Sequence, residues 1–129
     1  MAKHLAIFSN DLAASVLDGH KTVDFRFSKS KIAPYLKIQK GDNVLVKNVS
    51  EPALGQVEVD NVLYFDNLTD GQLQKIKQDY LAESAITELV FDKFSEGSKY
   101  LSIIFFKQPK RFICPLKIDK KGRHGWLIL

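Results

Sequence analysis

The run Gly19-His20-Lys21-Thr22-Val23-Asp24-Phe25-Arg26 holds the residues of this chain best placed to do chemistry. On a strand, period-two alternation sends Val23, Phe25 and Phe27 to one face and Asp24 and Arg26, with Thr22 beside them, to the other. Lys21 falls at the strand entrance on the apolar phase, where its long stem can bend round the rim. A carboxylate between two cations can orient a guanidinium or accept hydrogen bonds from the edge of a base, while the cations meet phosphate or base acceptors. The plainer alternative is a structural ion pair that fixes the strand to a neighbouring loop.

A second candidate lies near the C-terminus. From Lys99 onward, eight cations (Lys99, Lys107, Lys110, Arg111, Lys117, Lys120, Lys121 and Arg123) face the single acid Asp119, whereas the whole chain carries only +4. Lys121 and Arg123, in the segment Lys117 to Arg123, could hold a phosphate backbone, a contact that gives affinity and position without reading sequence. Lysines that guard strand edges against aggregation are the alternative. Trp126 could stack on an unpaired base, or pack in the core with Leu127 and Ile128. Cys114 alternates with apolar neighbours and is expected to pack as a small hydrophobe. Lys40-Gly41-Asp42 reads as turn chemistry, and His20 and His124 receive no catalytic role.

Composition narrows the class. A chain of 129 residues, 45% hydrophobic and 26% charged, fits a single globular domain spanning 1–129. No apolar run approaches the roughly 20 residues that cross a bilayer, and Lys3, His4, Asn10 and Asp11 surround too short an apolar stretch for a signal peptide. One cysteine permits no internal disulfide, which points to the reducing cytoplasm. With three scattered histidines it supplies no zinc-ligand spacing, so no metal or cofactor is expected.

The elements that must position the candidates follow from pattern. Leu5 to Phe8 reads as a strand. Ser9 or Asn10 can cap a short helix through Leu12, Val16 and Leu17, closed by Gly19 in a left-handed conformation. The Lys21 to Phe27 strand comes next, then a basic loop around Pro34, a strand over Val44 to Lys47, and a long strand from Gly55 to Phe65. The phase slip at Asp60-Asn61 predicts a bulge. Thr69 and Gln72 form a capping box, with Leu68 and Leu73 placed for a hydrophobic staple. Ser84 is the expected cap of a second helix through Ile86, Leu89, Val90 and Phe94. Tyr100 to Phe106 reads as a central strand, Arg111 to Ile118 as another, Lys120-Lys121-Gly122 as a hairpin loop, and Trp126 to Leu129 as the last strand. The expected fold class is α+β: a curled, mostly antiparallel partial barrel with a short N-terminal helix and a helical insertion.

The ordered set Leu17-Asp18-Gly19-His20-Lys21-Thr22-Val23-Asp24-Phe25-Arg26, Lys40-Gly41-Asp42, and Gly55-Gln56-Val57 through Tyr64-Phe65 resembles the ASCH domain (activating signal cointegrator homology) of the PUA-like superfamily. The segment Lys120 to Trp126 looks like the last hairpin of some bacterial members. The resemblance covers most of the chain, with the middle from Thr69 to Ser95 the least diagnostic part. It implies a PUA-like β-barrel with a cleft in which Lys21 and Arg26 meet RNA or a modified nucleobase, and in which Asp24 replaces the usual, longer Glu. One small ASCH-like group hydrolyses N4-acetylcytidine with a Lys, a Thr three residues later and a Glu elsewhere. Lys21 matches that Lys, but Asp24 stands in the Thr position, and Asp66 and Glu88 are weak substitutes for the Glu.

The expected function is therefore RNA or nucleotide-like ligand binding through Lys21, Asp24, Arg26, Lys121 and Arg123. An amidohydrolase of acylated nucleosides is the enzymatic alternative, and a protein-interaction adaptor with unknown partners the third. No membrane contact is expected.

Overall fold

The computed structural model describes residues 2–9, 11–118 and 125–129. Its elements are β1 (Lys3–Phe8), α1 (Leu12–Leu17), β2 (Val23–Ser28), β3 (Asn43–Asn48), β4 (Ala53–Asp66), α2 (Asp70–Ser84), α3 (Glu88–Ser95), β5 (Tyr100–Leu116) and β6 (Trp126–Ile128). One six-stranded sheet has the order β2-β5-β4-β3-β1-β6. The β1–β3 pair is parallel and every other pair is antiparallel.

The alternating pattern of β2 is built as the sequence predicts. Val23 and Phe25 join Leu101 and Ile103 in an outer cluster closed by Ile76 of α2 and Phe91 of α3. Phe91 meets Phe25 and Phe27 edge-on, with ring centroids 5.1 and 5.3 Å away, the geometry that aromatic quadrupoles favour. On the inner face Ala6, Phe8, Val44, Val46, Val57, Val59, Ile104 and Phe106 form the core of the curled sheet, and α1 seals it with Ala13, Val16 and Leu17. The sheet curls because β4 and β5 are long and irregular. Their register slips between Val59 and Asn61, at the predicted bulge, and again between Gln56 and Glu58; bulges of this kind add local twist.

Local chemistry accounts for most of the ends. Thr69 and Gln72 make the capping box, and Leu68 and Leu73 both pack on the outer cluster. Gly19 takes φ +83°, the left-handed value expected after α1.

Four expectations need correction. The N-cap of α1 is Asp11, without a side-chain bond; Asn48 of β3 reaches across to accept from the Ala13 amide instead. Ser84 does not start the second helix but ends α2, because Ala85 adopts φ 57° and stops it. Thr87 then caps α3 by accepting from the Val90 amide, and the later start turns Phe91 inward and leaves Leu89 and Phe94 exposed. Arg111 to Ile118 is no separate strand either. Gln108, at φ 51°, absorbs the polar stretch around Pro109 within one continuous β5. Cys114 on that extension is exposed rather than packed. The predicted hairpin loop Lys120-Lys121-Gly122, with Lys121 and Arg123, lies outside the described residues.

Candidate functional site

Asp24 and Arg26 emerge from the inner face of β2, and the Asp24 carboxylate gathers both neighbouring cations. Arg26 Nε donates to Asp24 Oδ2 at 2.6 Å, and Lys21 Nζ stands 3.4 Å from Oδ1. Lys21 Nζ also donates to the Ser84 carbonyl oxygen at 2.5 Å. That carbonyl belongs to the C-terminal turn of α2, where the helix dipole favours a cation. The Thr22 amide donates to the Glu83 carbonyl oxygen beside it. Lys21 is therefore the bolt between the helical insertion and the sheet. It is 2% exposed. Burial pushes its amine below the usual lysine range, Asp24 opposes that shift, and the Arg26 charge adds to it.

Arg26 is held differently. Its Nη1 donates to the carbonyl oxygens of Ile7, at 3.3 Å, and Gly125, at 3.2 Å. Its guanidinium carbon lies 4.8 Å from the Phe8 ring centre and 5.2 Å from that of Trp126, within cation–π range of both. Strand β2 lies at one end of the sheet order and β6 at the other. Side-chain bonds and ring contacts from Arg26 thus close the seam that no backbone ladder closes.

Trp126 is in turn fixed from behind. Its indole Nε1 donates to His4 Nδ1 at 3.1 Å, and His4 Nε2 lies 2.9 Å from Asp42 Oδ2. Asp42 also accepts from the backbone amides of Gln39 and Ala2. Burial alone would raise its carboxyl pKa, but the hydrogen bonds from His4, Gln39 and Ala2 together bring it below the usual carboxylate range.

In front of Arg26 and Trp126 lies a pocket of about 180 Å³, walled also by Phe27, Ser28, Ile32, Ala33, Pro34, Tyr35 and Gly125. Tyr35 is buried edge-on against Tyr64 and beside Tyr100, at centroid separations of 5.4 and 4.9 Å. Burial raises its phenol pKa, with Asp66 and Tyr100 adding to the shift. Tyr64 is pinned by donating to the Ile38 carbonyl oxygen at 2.6 Å and accepting from the Ile38 amide. In the same cross-strand row Ser102 sits between Arg26 and Tyr64. Its buried hydroxyl has no hydrogen-bond partner among the described residues.

Lys21, Asp24 and Arg26 thus come together as one cluster, but Arg26 alone of the three lines the pocket. Glu88 is remote from them, paired with Lys77 between α2 and α3. The sequence reading passed over His4 and the roles of Asp42, Tyr35 and Tyr64. Their partners come from far along the chain, His4 meeting Asp42 across 38 positions and Trp126 across 122. Only a His beside the apolar run from Leu5 and a lone Trp beside Leu127 and Ile128 hint at them. Among the described residues no group of three or more His, Cys, Asp or Glu is placed to hold a metal ion.

No protein-family model matches the chain, and no curated protein matches it in sequence. Solved structures do. The ASCH protein of Zymomonas mobilis superposes with a TM-score of 0.76 at 13% identity, covering 98% of this chain and 87% of that one. A tyrosine-to-phenylalanine variant of the same protein gives a TM-score of 0.76, 13% identity and coverage of 98% and 89%. A hypothetical protein superposes with a TM-score of 0.55 at 10% identity over 80% of this chain and 95% of its own. Identities this low speak to architecture, and at that level the family resemblance read from the sequence holds: the chain has the fold of the ASCH proteins, a PUA-like curled half-barrel with three helices.

Proposed function

We propose that this protein binds an unpaired base of RNA, or a nucleotide-like ligand, in the pocket in front of Arg26. The observation that carries the reading is the clamped guanidinium. Asp24 takes its Nε, the Ile7 and Gly125 carbonyls take Nη1, and Nη2 has no bond to any described residue. Two N–H donors in a fixed plane are left for an acceptor edge or a phosphate oxygen. Ala33, Pro34, Tyr35 and Trp126 give the pocket flat apolar and aromatic walls, which suit a planar heterocycle. At about 180 Å³ it is smaller than the ~300–1,000 Å³ of drug-sized sites and suits one ring system. The excess of cations from Lys99 onward would attract the rest of a polyanion, with Lys121 and Arg123 as the expected phosphate contacts. A cytoplasmic location agrees with the lone, exposed Cys114.

Hydrolysis of an acylated nucleoside has less support, since the Lys21 amine is committed to Ser84 and Asp24. Trp126 is the only tryptophan, so its emission reports directly on the pocket. Titration with cytidine and uridine monophosphates and with short single-stranded RNA should give a saturable change in emission. RNA affinity should fall as salt rises, and Arg26→Gln should weaken binding by about tenfold or more, the scale of one charge-assisted hydrogen bond. Absence of saturable binding, or equal affinity in the Arg26→Gln protein, would overturn the proposal.

A further inference from the structure

The hydrogen bonds around His4 fix its chemistry. An indole N–H only donates, so the ring nitrogen that meets Trp126 must accept and carries no proton. The other nitrogen then bears the hydrogen and donates to Asp42. The bond pattern therefore writes His4 as the neutral imidazole protonated at Nε2. His4 is fully buried and Asp42 is 4% exposed, so neither contact can be replaced by bulk water without movement.

We propose that His4 is a positioning residue of the Arg26 pocket and its proton sensor: neutral, it holds Trp126 against Arg26, and a second proton, at Nδ1, releases the indole. Two effects act together. Protonated Nδ1 becomes a donor facing a donor, which removes the bond to Trp126. The new charge also repels that of Arg26, since His4 and Arg26 both lie within 6 Å of the Trp126 ring centre. Asp42, from the turn before β3, attracts the imidazolium. Arg26, from β2, opposes it, and Tyr64 of β4 stands close enough to feel the Asp42 charge. Asp42 steadies His4 in both charge states, so the indole is the contact that gives way. Trp126 also starts β6, whose three residues pair with β1 opposite His4, Leu5 and Ala6. Release of the indole therefore loosens one wall of the pocket and one side of the sheet seam. The consequence for ligand binding rests on the function proposed above; the consequence for Trp126 does not.

The free protein gives the decisive test. Trp126 emission is followed from about pH 8 to about pH 5, the span in which imidazoles commonly change charge. A single sigmoidal step is expected in the wild type. It should vanish in His4→Gln, whose amide can still donate to Asp42 and accept from Trp126 but cannot gain a proton. A flat wild-type profile, or an unchanged step in His4→Gln, would overturn the inference. Nitrogen-15 chemical shifts of the wild-type ring, measured by NMR near pH 8, test it without a variant, and a proton on Nδ1 rather than Nε2 would refute it. Affinity for cytidine monophosphate, or for whichever RNA binds, should fall at least about threefold across the same step in the wild type and stay level in His4→Gln. If no nucleotide binds while the emission step is present, the function fails and the sensor stands.

Discussion

Arg26 and Ile7 are joined by a hydrogen bond of 3.3 Å from Nη1 to the carbonyl oxygen, although β2 and β1 share no backbone ladder. The bond makes Arg26 a structural residue and a pocket residue at once. Its guanidinium bridges the open seam of the curled sheet, and the same side chain lines the pocket. A side chain fixed in this way loses little conformational entropy when a ligand arrives, which is the physical meaning of a preorganised site.

Asp24 is the residue on which that arrangement depends. It is 5% exposed and contacts both cations. In Asp24→Asn the two positive groups would face each other with no counter-charge. Removing one partner from a buried ionic cluster typically costs about 3–5 kcal/mol, and the partial exposure of Arg26 places this case near the lower end. Urea unfolding should show a loss of about 3 kcal/mol. A loss below about 1 kcal/mol would mean that Asp24 organises neither cation.

Much of this was legible in the sequence, for identifiable reasons. The strict alternation of Val23, Asp24, Phe25 and Arg26 leaves one way to bury β2, so the facing of Asp24 and Arg26 could be read directly. The bulge at Asp60-Asn61 and the capping box at Thr69 are local rules, and both hold. Lys21 shows the limit of such rules. It precedes β2, its amine turns to Asp24, and its burial depends on where the end of α2 docks, a tertiary fact. The same is true of Tyr35, which reaches the site from a loop without periodicity, and of the Trp126–His4–Asp42 chain. Ser84 misled because serine is an N-cap residue by propensity, whereas here its hydroxyl donates back to the Leu81 carbonyl oxygen within the ending helix.

Gly55 carries a steric claim. A Cβ at this position would lie 2.3 Å from the Lys110 carbonyl oxygen and 2.8 Å from Leu17 Cδ2. The first neighbour is backbone of the paired strand and cannot rotate away. Gly55→Ala must therefore shift β4 from β5 as well as displace Leu17 of α1. Overpacking of this kind costs about 1–3 kcal/mol or more, and the upper end is expected. A clear fall in thermal midpoint checks it, and an unchanged midpoint would contradict the close approach of β4 to β5 at this position.

Asp42 sets an acid limit. Its carboxyl pKa is lowered in the folded protein, so it adds stability above the unfolded value of about 3.9 and surrenders it as pH falls through the lower folded value. Stability of the wild type should therefore drop with acidification below about pH 4 more steeply than that of Asp42→Asn. Urea midpoints measured at stepped pH values test this, and parallel curves for the two proteins would contradict it.

Lys21 gives a slope of the same sign at the alkaline end. Burial lowers its amine pKa, the reverse of the usual lysine in an ion pair. Between the folded value and the unfolded value of about 10.4, the unfolded chain holds more protons than the folded one, so this group makes stability rise with pH. Lys21→Met keeps much of the stem volume and removes the charge. Asp24 retains Arg26, so no bare carboxylate is left, but the Ser84 carbonyl loses its side-chain donor. A net loss of about 1–3 kcal/mol at neutral pH follows from that unmatched acceptor. Tyr35 and Tyr64, with raised phenol pKa values, pull stability down as pH climbs, but they do so in both proteins. The difference between wild type and Lys21→Met therefore isolates the amine. It should widen in favour of the wild type as pH rises through the alkaline range, and a gap that stays constant or narrows would mean that Lys21 is not held in a desolvated site.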